Sequence, residues 1–163
     1  MFADLSGKVA LVTGGGQGLR LGIVLKMAEQ GADIAIADLS DENAASAASL
    51  VEALGRKAYT ARMDVTDADS VSAGVASITS AAGQIDILVN NAALFQDLQA
   101  DHVKGLMEVD MDRWDRVFSV NVRGTFLCSQ ACLPHLAKAS NPHVLNIAPP
   151  PVMRPEWFEH HLA

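Results

Sequence analysis

The residues best suited to do chemistry form a turn, Thr13-Gly14-Gly15-Gly16-Gln17-Gly18. It joins a short apolar run, Lys8 to Thr13, to a segment from Leu19 to Gln30 whose apolar residues recur at helical spacing. A glycine-rich link from strand to helix aims several backbone N–H groups and the positive end of the helix at one place, and glycine lets an anion approach the backbone closely. That chemistry suits a pyrophosphate. A second apolar run, Ile34 to Ala37, ends in Asp38, twenty residues beyond Gly18. A carboxylate there can accept both ribose hydroxyls of an adenosine and repels a 2'-phosphate. Together the two features point to a dinucleotide, with NAD(H) preferred over NADP(H). Taken singly, the turn could be only a tight connection and Asp38 only a capping or turn residue.

Other candidate groups carry less. Cys128 and Cys132 stand four apart, so a helix puts them on one face, and they read as reduced packing thiols. His160 and His161 are adjacent, which on a helix turns them about 100° apart, and no further ligand stands at metal-binding spacing, so no metal is expected. His102, His135 and His143 are isolated and read as surface or capping residues. Phe95, Leu106, Met107 and Met111 could line a substrate entrance or simply pack, and Asp97, Asp101, Glu108, Asp110 and Asp112 read as a solvated loop face.

The elements that must position these residues follow from composition and periodicity. The chain has 163 residues, 50% hydrophobic and 19% charged, enough for one domain over residues 1–163 with a core that needs no disulfide or metal. A net charge of -7 without a run of Lys or Arg leaves no basic face, so nucleic acid is not an expected partner. The longest apolar stretches fall short of the roughly 18 residues a membrane span needs, and Asp4 and Ser6 interrupt the start, so a cytoplasmic protein is expected. Beyond the first strand–turn–helix, Ser40 or Asp41 can cap an Ala-rich helix ending at Gly55. Ala58 to Met63, Ile85 to Val89 and His143 to Ile147 read as further strands. Asp67 to Ala82 and Met111 to Lys138 read as helices, the latter bent or ended by Pro134. Short apolar strands alternating with helices indicate an α/β, doubly wound parallel sheet of about five strands. The loop from Leu94 to Asp110 follows a strand end, where binding loops lie, and the prolines from Pro149 to Pro155 preclude regular structure in the segment from Ala148 to Ala163.

Several of these features coincide in order: Thr13-Gly14-x-x-x-Gly18, Asp64-Val65 after the third strand, Asn90-Asn91-Ala92-Ala93 after the fourth, and Asn121-Val122-x-Gly124-Thr125-Phe126 in the long helix. With them the chain resembles the short-chain dehydrogenase/reductase family over essentially its whole length. The resemblance implies a Rossmann-type fold and a cofactor site built from Thr13, Gly14, Gln17, Gly18, Leu19, Asp38, Asp64, Val65, Asn90 and Ala92. Asp64 and Val65 would flank the adenine, and Asn90 and Ala92 would border the cofactor. Asn121 would be the catalytic Asn, holding a water that relays protons to a lysine. The implied activity is hydride transfer between NAD(H) and a secondary alcohol or ketone. The family's oligomers imply a homo-oligomer here.

Three departures qualify that implication. The family's Tyr-x-x-x-Lys pair has no counterpart, since the only tyrosine, Tyr59, lies on the third strand. Where the family has serine after the fifth strand, the chain reads Asn146-Ile147-Ala148-Pro149. With Pro155-x-Trp157-Phe158, that stretch resembles the hydroxysteroid-dehydrogenase-like branch, and the sequence reads as truncated before the Tyr-x-x-x-Lys helix, hence incomplete relative to the family fold. Arg20 stands where the family has glycine; its guanidinium could reach the pyrophosphate or its bulk could crowd the site, and crowding is the expected outcome. A non-catalytic dinucleotide- or partner-binding protein, or a non-functional truncated product, is the alternative to the enzyme.

Overall fold

The structure, a computed structural model, describes residues 4–94 and 110–147. Five strands, β1 (Val9–Thr13), β2 (Asp33–Asp38), β3 (Ala58–Arg62), β4 (Ile87–Asn90) and β5 (His143–Asn146), form one sheet in the order β3-β2-β1-β4-β5. Every neighbouring pair is parallel. The connecting helices are α1 (Leu19–Glu29), α2 (Asp41–Ala53), α3 (Ala68–Ala82), α4 (Met111–Phe118) and α5 (Thr125–Leu136). This is the expected doubly wound arrangement, with each boundary within two residues of the sequence reading wherever an element exists as one piece.

Side chains alternate across a strand, so a sheet covered on both faces must be apolar at consecutive positions. Ala10 and Val12 of β1, with Ile34, Ile36, Ile87 and Val89, meet Val24 and Ala28 of α1 and Ala44, Ala47 and Val51 of α2 on one face. Leu11, Ala35, Ala37 and Leu88 meet Val71, Val75 and Ile78 of α3 and Cys128, Cys132 and Leu136 of α5 on the other. The amino end of the sheet is pinned by Asp86, whose buried carboxylate accepts from the Val9 N–H, Lys8 Nζ and Gln84 Nε2.

Ser40 caps α2 by accepting from the Asn43 N–H, and Asp67 caps α3 by accepting from the Asp69 N–H. Asp110, read from sequence as part of a solvated acidic face, is exposed and also caps α4 through the N–H groups of Asp112 and Arg113. The long helix expected over Met111 to Lys138 is not one α-helix: Ser119–Gly124 forms a π-helical segment between α4 and α5. Gly124 in that segment lies so close to β3's outgoing chain that a Cβ on it would stand 2.8 Å from Val65 Cγ2. Any larger residue there would push the helix off the sheet. Pro134 lies inside the last turn of α5, which ends two residues later.

One side of this helical run stays uncovered. Met111, Trp114, Phe118, Val122, Phe126 and Leu133 are all exposed, with the Trp114 and Phe118 rings stacked at 4.6 Å. All four residues of β5, at the end of the sheet order, are exposed as well. Among the described residues no helix is long and apolar enough to cross a membrane. The expectations for Phe95, Asp97, Asp101, His102, Leu106, Met107, Glu108 and the segment 148–163 lie outside the described residues.

The two cysteines pack against the sheet as expected, and burial there pushes the Cys128 thiol up to about 11 and the Cys132 thiol, also next to Cys128, up to about 12. A raised thiol value favours the folded, protonated form. This contribution is full below the ordinary value of 9.0 and is lost as the pH rises through it toward 11 to 12. We therefore expect thermal unfolding midpoints to fall between those limits, and less so for Cys128→Ala. Well below pH 9.0 both thiols should label at least about 100-fold more slowly in the folded than in the unfolded chain.

Candidate functional site

Parallel strands put all their carboxyl ends on one edge, and the strand order reverses there between β1 and β4. The helix after β1 packs on one face and the helical run after β4 on the other, so the two chains part and leave a crevice beyond the strand ends. The sequence-derived candidates stand at the carboxyl ends of the strands or on the helices that follow them.

The floor of the crevice is tied by the end of β1. Thr13, buried, accepts on Oγ1 from the N–H groups of Asn91 and Ala92, both at 3.0 Å. Asn91 in turn donates from Nδ2 to the carbonyl oxygens of Thr13 and Gly14. Gly14 has φ +63°, its N–H donates to the Ala37 carbonyl at 2.6 Å, and a Cβ on it would stand 2.9 Å from Ala92 Cα. Only glycine fits both the backbone angle and the gap. The doublet Asn90-Asn91 signalled this region, but the clamp made by Asn91 was not read from it.

The N-terminus of α1 opens onto this crevice. Gly18, with φ +63°, precedes Leu19 and has open space where a Cβ would stand. Unlike α2, α3 and α4, α1 has neither a side-chain cap nor an acidic residue in its first turn, and its Leu21 N–H turns back to the Gly18 carbonyl at 3.2 Å. Gln17 beside it is exposed. At the end of β2, Asp38 is 9% exposed and accepts from Gly16 N–H on Oδ2 and Ser40 N–H on Oδ1, both at 3.0 Å. A Cβ on Gly16 would stand 2.8 Å from that Oδ2. Asp38 thus sits against the glycine turn with two of a carboxylate's roughly four acceptor positions in use. The donors and open space present fit a dinucleotide.

Asp64 and Val65 follow β3. Asp64 closes its own turn, accepting on Oδ1 from the N–H and Oγ1 of Thr66, while Val65 is packed against Gly124. Asn90, at the end of β4, donates from Nδ2 to Ser129 Oγ and Asn146 Oδ1, and its own Oδ1 is buried without a partner. Asn121 lies in the π-helical segment, where its Oδ1 accepts from the Leu94 N–H at 2.8 Å and its carbonyl from Thr125 Oγ1. A mid-helix Asn thereby holds the chain leaving β4. Arg20 reaches across to the chain leaving β4, where Nη2 donates to the Ala93 carbonyl at 2.6 Å. Among the described residues no cluster of three His, Cys, Asp or Glu could hold a metal.

Residues 8–150 match the short chain dehydrogenase family model. The chain belongs to the short-chain dehydrogenase family. It is 36% identical to hydroxysteroid dehydrogenase-like protein 2 of Danio rerio over 98% of the chain, which spans 39% of that relative's length. A solved Xanthomonas campestris structure, described as a dehydrogenase, is 40% identical with a TM-score of 0.81, covering 98% of this chain and 60% of its own. A carveol dehydrogenase from Mycobacterium avium, solved in complex with NAD, is 26% identical with a TM-score of 0.79, covering 88% and 55%.

The Thr13 hydroxyl is the testable joint of the crevice floor. Thr13→Val keeps the shape but strands two N–H groups, and we expect it to lower unfolding stability by about 2 kcal/mol. Thr13→Ser, which keeps the acceptor, should recover most of that in urea melts.

Proposed function

We propose that this chain supplies the dinucleotide-binding half of an oxidoreductase that transfers hydride between NAD(H) and a secondary alcohol or ketone. The observation that carries the reading is the uncapped start of α1 opening onto the crevice where the strand order reverses, in a member of a dehydrogenase family. Bound nicotinamide supplies the hydride chemistry, and the protein supplies binding and orientation. Thr13 and Gly14 shape the floor, and backbone N–H groups from Gln17, Gly18 and Leu19 face the pyrophosphate. Asp38 takes the adenosine ribose on its remaining acceptor positions. Asp64 and Val65 flank the adenine, and Asn90 and Ala92 border the nicotinamide side. Asn121 is the positioning residue of the proton path, through a water held beside the π-helical segment. The exposed stripe from Met111 to Leu133 supports self-association as part of the same reading.

The cofactor preference follows from Asp38. A 2'-phosphate would meet a carboxylate already fixed by two backbone N–H groups and unable to swing away. Fluorescence titration should therefore give tighter binding of NADH than of NADPH. Asp38→Asn, which removes the charge and keeps an acceptor oxygen, should shrink the preference by roughly tenfold or more. Tighter binding of NADPH by the unaltered chain would overturn the role of Asp38, and binding of neither would overturn the function.

A further inference from the structure

The helices that follow β3 and β4 carry the chain back to the sheet edge opposite the crevice, and there α3 and α5 end side by side, just ahead of β4 and β5. Between them runs a groove of about 520 Å³. That is the size of a small-molecule site. Its apolar lining is slim, with Val75 and Ala76 from α3 and Ala131 from α5, and its polar lining collects at one end. Ser80 belongs to the last turn of α3, His135 to the last turn of α5, and Lys138 to the chain just beyond.

A cation near the end of a helix is accounted for by the negative pole of that helix alone. That account does not cover the rest of the groove. Among the described residues the side chains of Ser80, His135 and Lys138 make no hydrogen bond or ion pair, and none of the residues lining the groove is acidic. In a chain with 19 acidic side chains against 12 Lys and Arg, two basic residues share a groove with no carboxylate.

We propose that the groove between α3 and α5 is a second ligand site, which takes a small phosphate monoester with a slender body. The Lys138 ammonium, a His135 ring N–H and the Ser80 hydroxyl donate to the phosphate oxygens, and the body lies along Val75, Ala76 and Ala131. A phosphate monoester, with close to two charges and three acceptor oxygens, matches this set better than a carboxylate does. The small side chains of Ala76 and Ala131 leave width for the body. The site is separate from the crevice, because α3, 15 residues and so about 22 Å long, spans the distance between the two edges of the sheet. It therefore holds whatever the crevice binds.

The test is calorimetric titration of the full chain with butyl phosphate, butyrate and butanol, each at low and high salt. We expect butyl phosphate to bind more tightly than butyrate and butanol not to bind, with the phosphate weakened by salt because Lys138 is exposed. Lys138→Met and His135→Ala should each weaken butyl phosphate by about fivefold, as befits exposed charge pairs. Ala76→Leu, at an exposed position of α3, should block the body and abolish binding while the urea melt stays in place. Butanol binding as tightly as butyl phosphate would make the groove a plain apolar slot, and butyrate doing so would remove the phosphate assignment; either overturns the proposal. It is also overturned if butyl phosphate does not bind at millimolar concentration, or if Lys138→Met and Ala76→Leu both leave its binding unchanged. Displacement of butyl phosphate by NADH would place the phosphate in the crevice instead, overturning the second site while the dinucleotide reading stands.

Discussion

A parallel sheet cannot be closed by hairpins, so each strand must be reached by a crossover, and the crossovers of this chain change face at β1. That change is the constraint on which the site depends. With β2 and β4 on either side of β1 and their helices packed on opposite faces, the chains leaving β1 and β4 have to diverge at the carboxyl edge. The apolar runs of β1, β2 and β4 are therefore as necessary to the crevice as the glycines at its mouth. A polar residue at Leu11 or Val12 would disturb a helix layer and, with it, one wall.

Across that divergence the chain spends its buried polar groups economically. Thr13 and Asn91 satisfy one another's backbones, so the two strand ends are joined without any group that a ligand would have to displace. Asp38 is held by Gly16 and Ser40 in the same spirit, its position set by the turn it serves. Glycine at 14 and 16 is what lets these partners come within bonding range, since a Cβ at either position would overlap the partner. The glycines of the turn are packing residues first, and the room they leave is a by-product of how closely the strand ends meet.

Much of this was legible in the sequence because the signals are local. A strand buried on both faces shows as a continuous apolar run, and a turn between run and helix shows as glycine. Ser40 before an Ala-rich stretch declares a cap. The order of motifs along the chain carried the family and the strand order with it. What was not legible depends on partners far apart in sequence. Nothing near Arg20 announces a bond to Ala93, and Asn121 looks like any helical Asn until Leu94 is brought to it. Asp110 is one acid among several until α4 is seen to begin beside it. The π-helical segment was hidden for a different reason: its residues have ordinary helical spacing, and only the approach of Gly124 to Val65 shows where the ladder shifts.

That shift has a consequence for the outer surface. Trp114, Phe118, Val122 and Phe126 recur every four residues, and in an unbroken α-helix such a series winds around the axis by about 40° at each step. Over the whole run the apolar groups would spiral away from a common line. A wider turn holds about one residue more than an α turn, which rewinds the phase of everything after it by roughly 100°. Placed between Phe118 and Phe126, it works as a vernier, bringing the rings of the first half and the side chains of the second back into register. The same irregularity that brings Asn121 to the Leu94 N–H thus turns the exposed apolar groups that follow it back toward the side that carries Trp114 and Phe118.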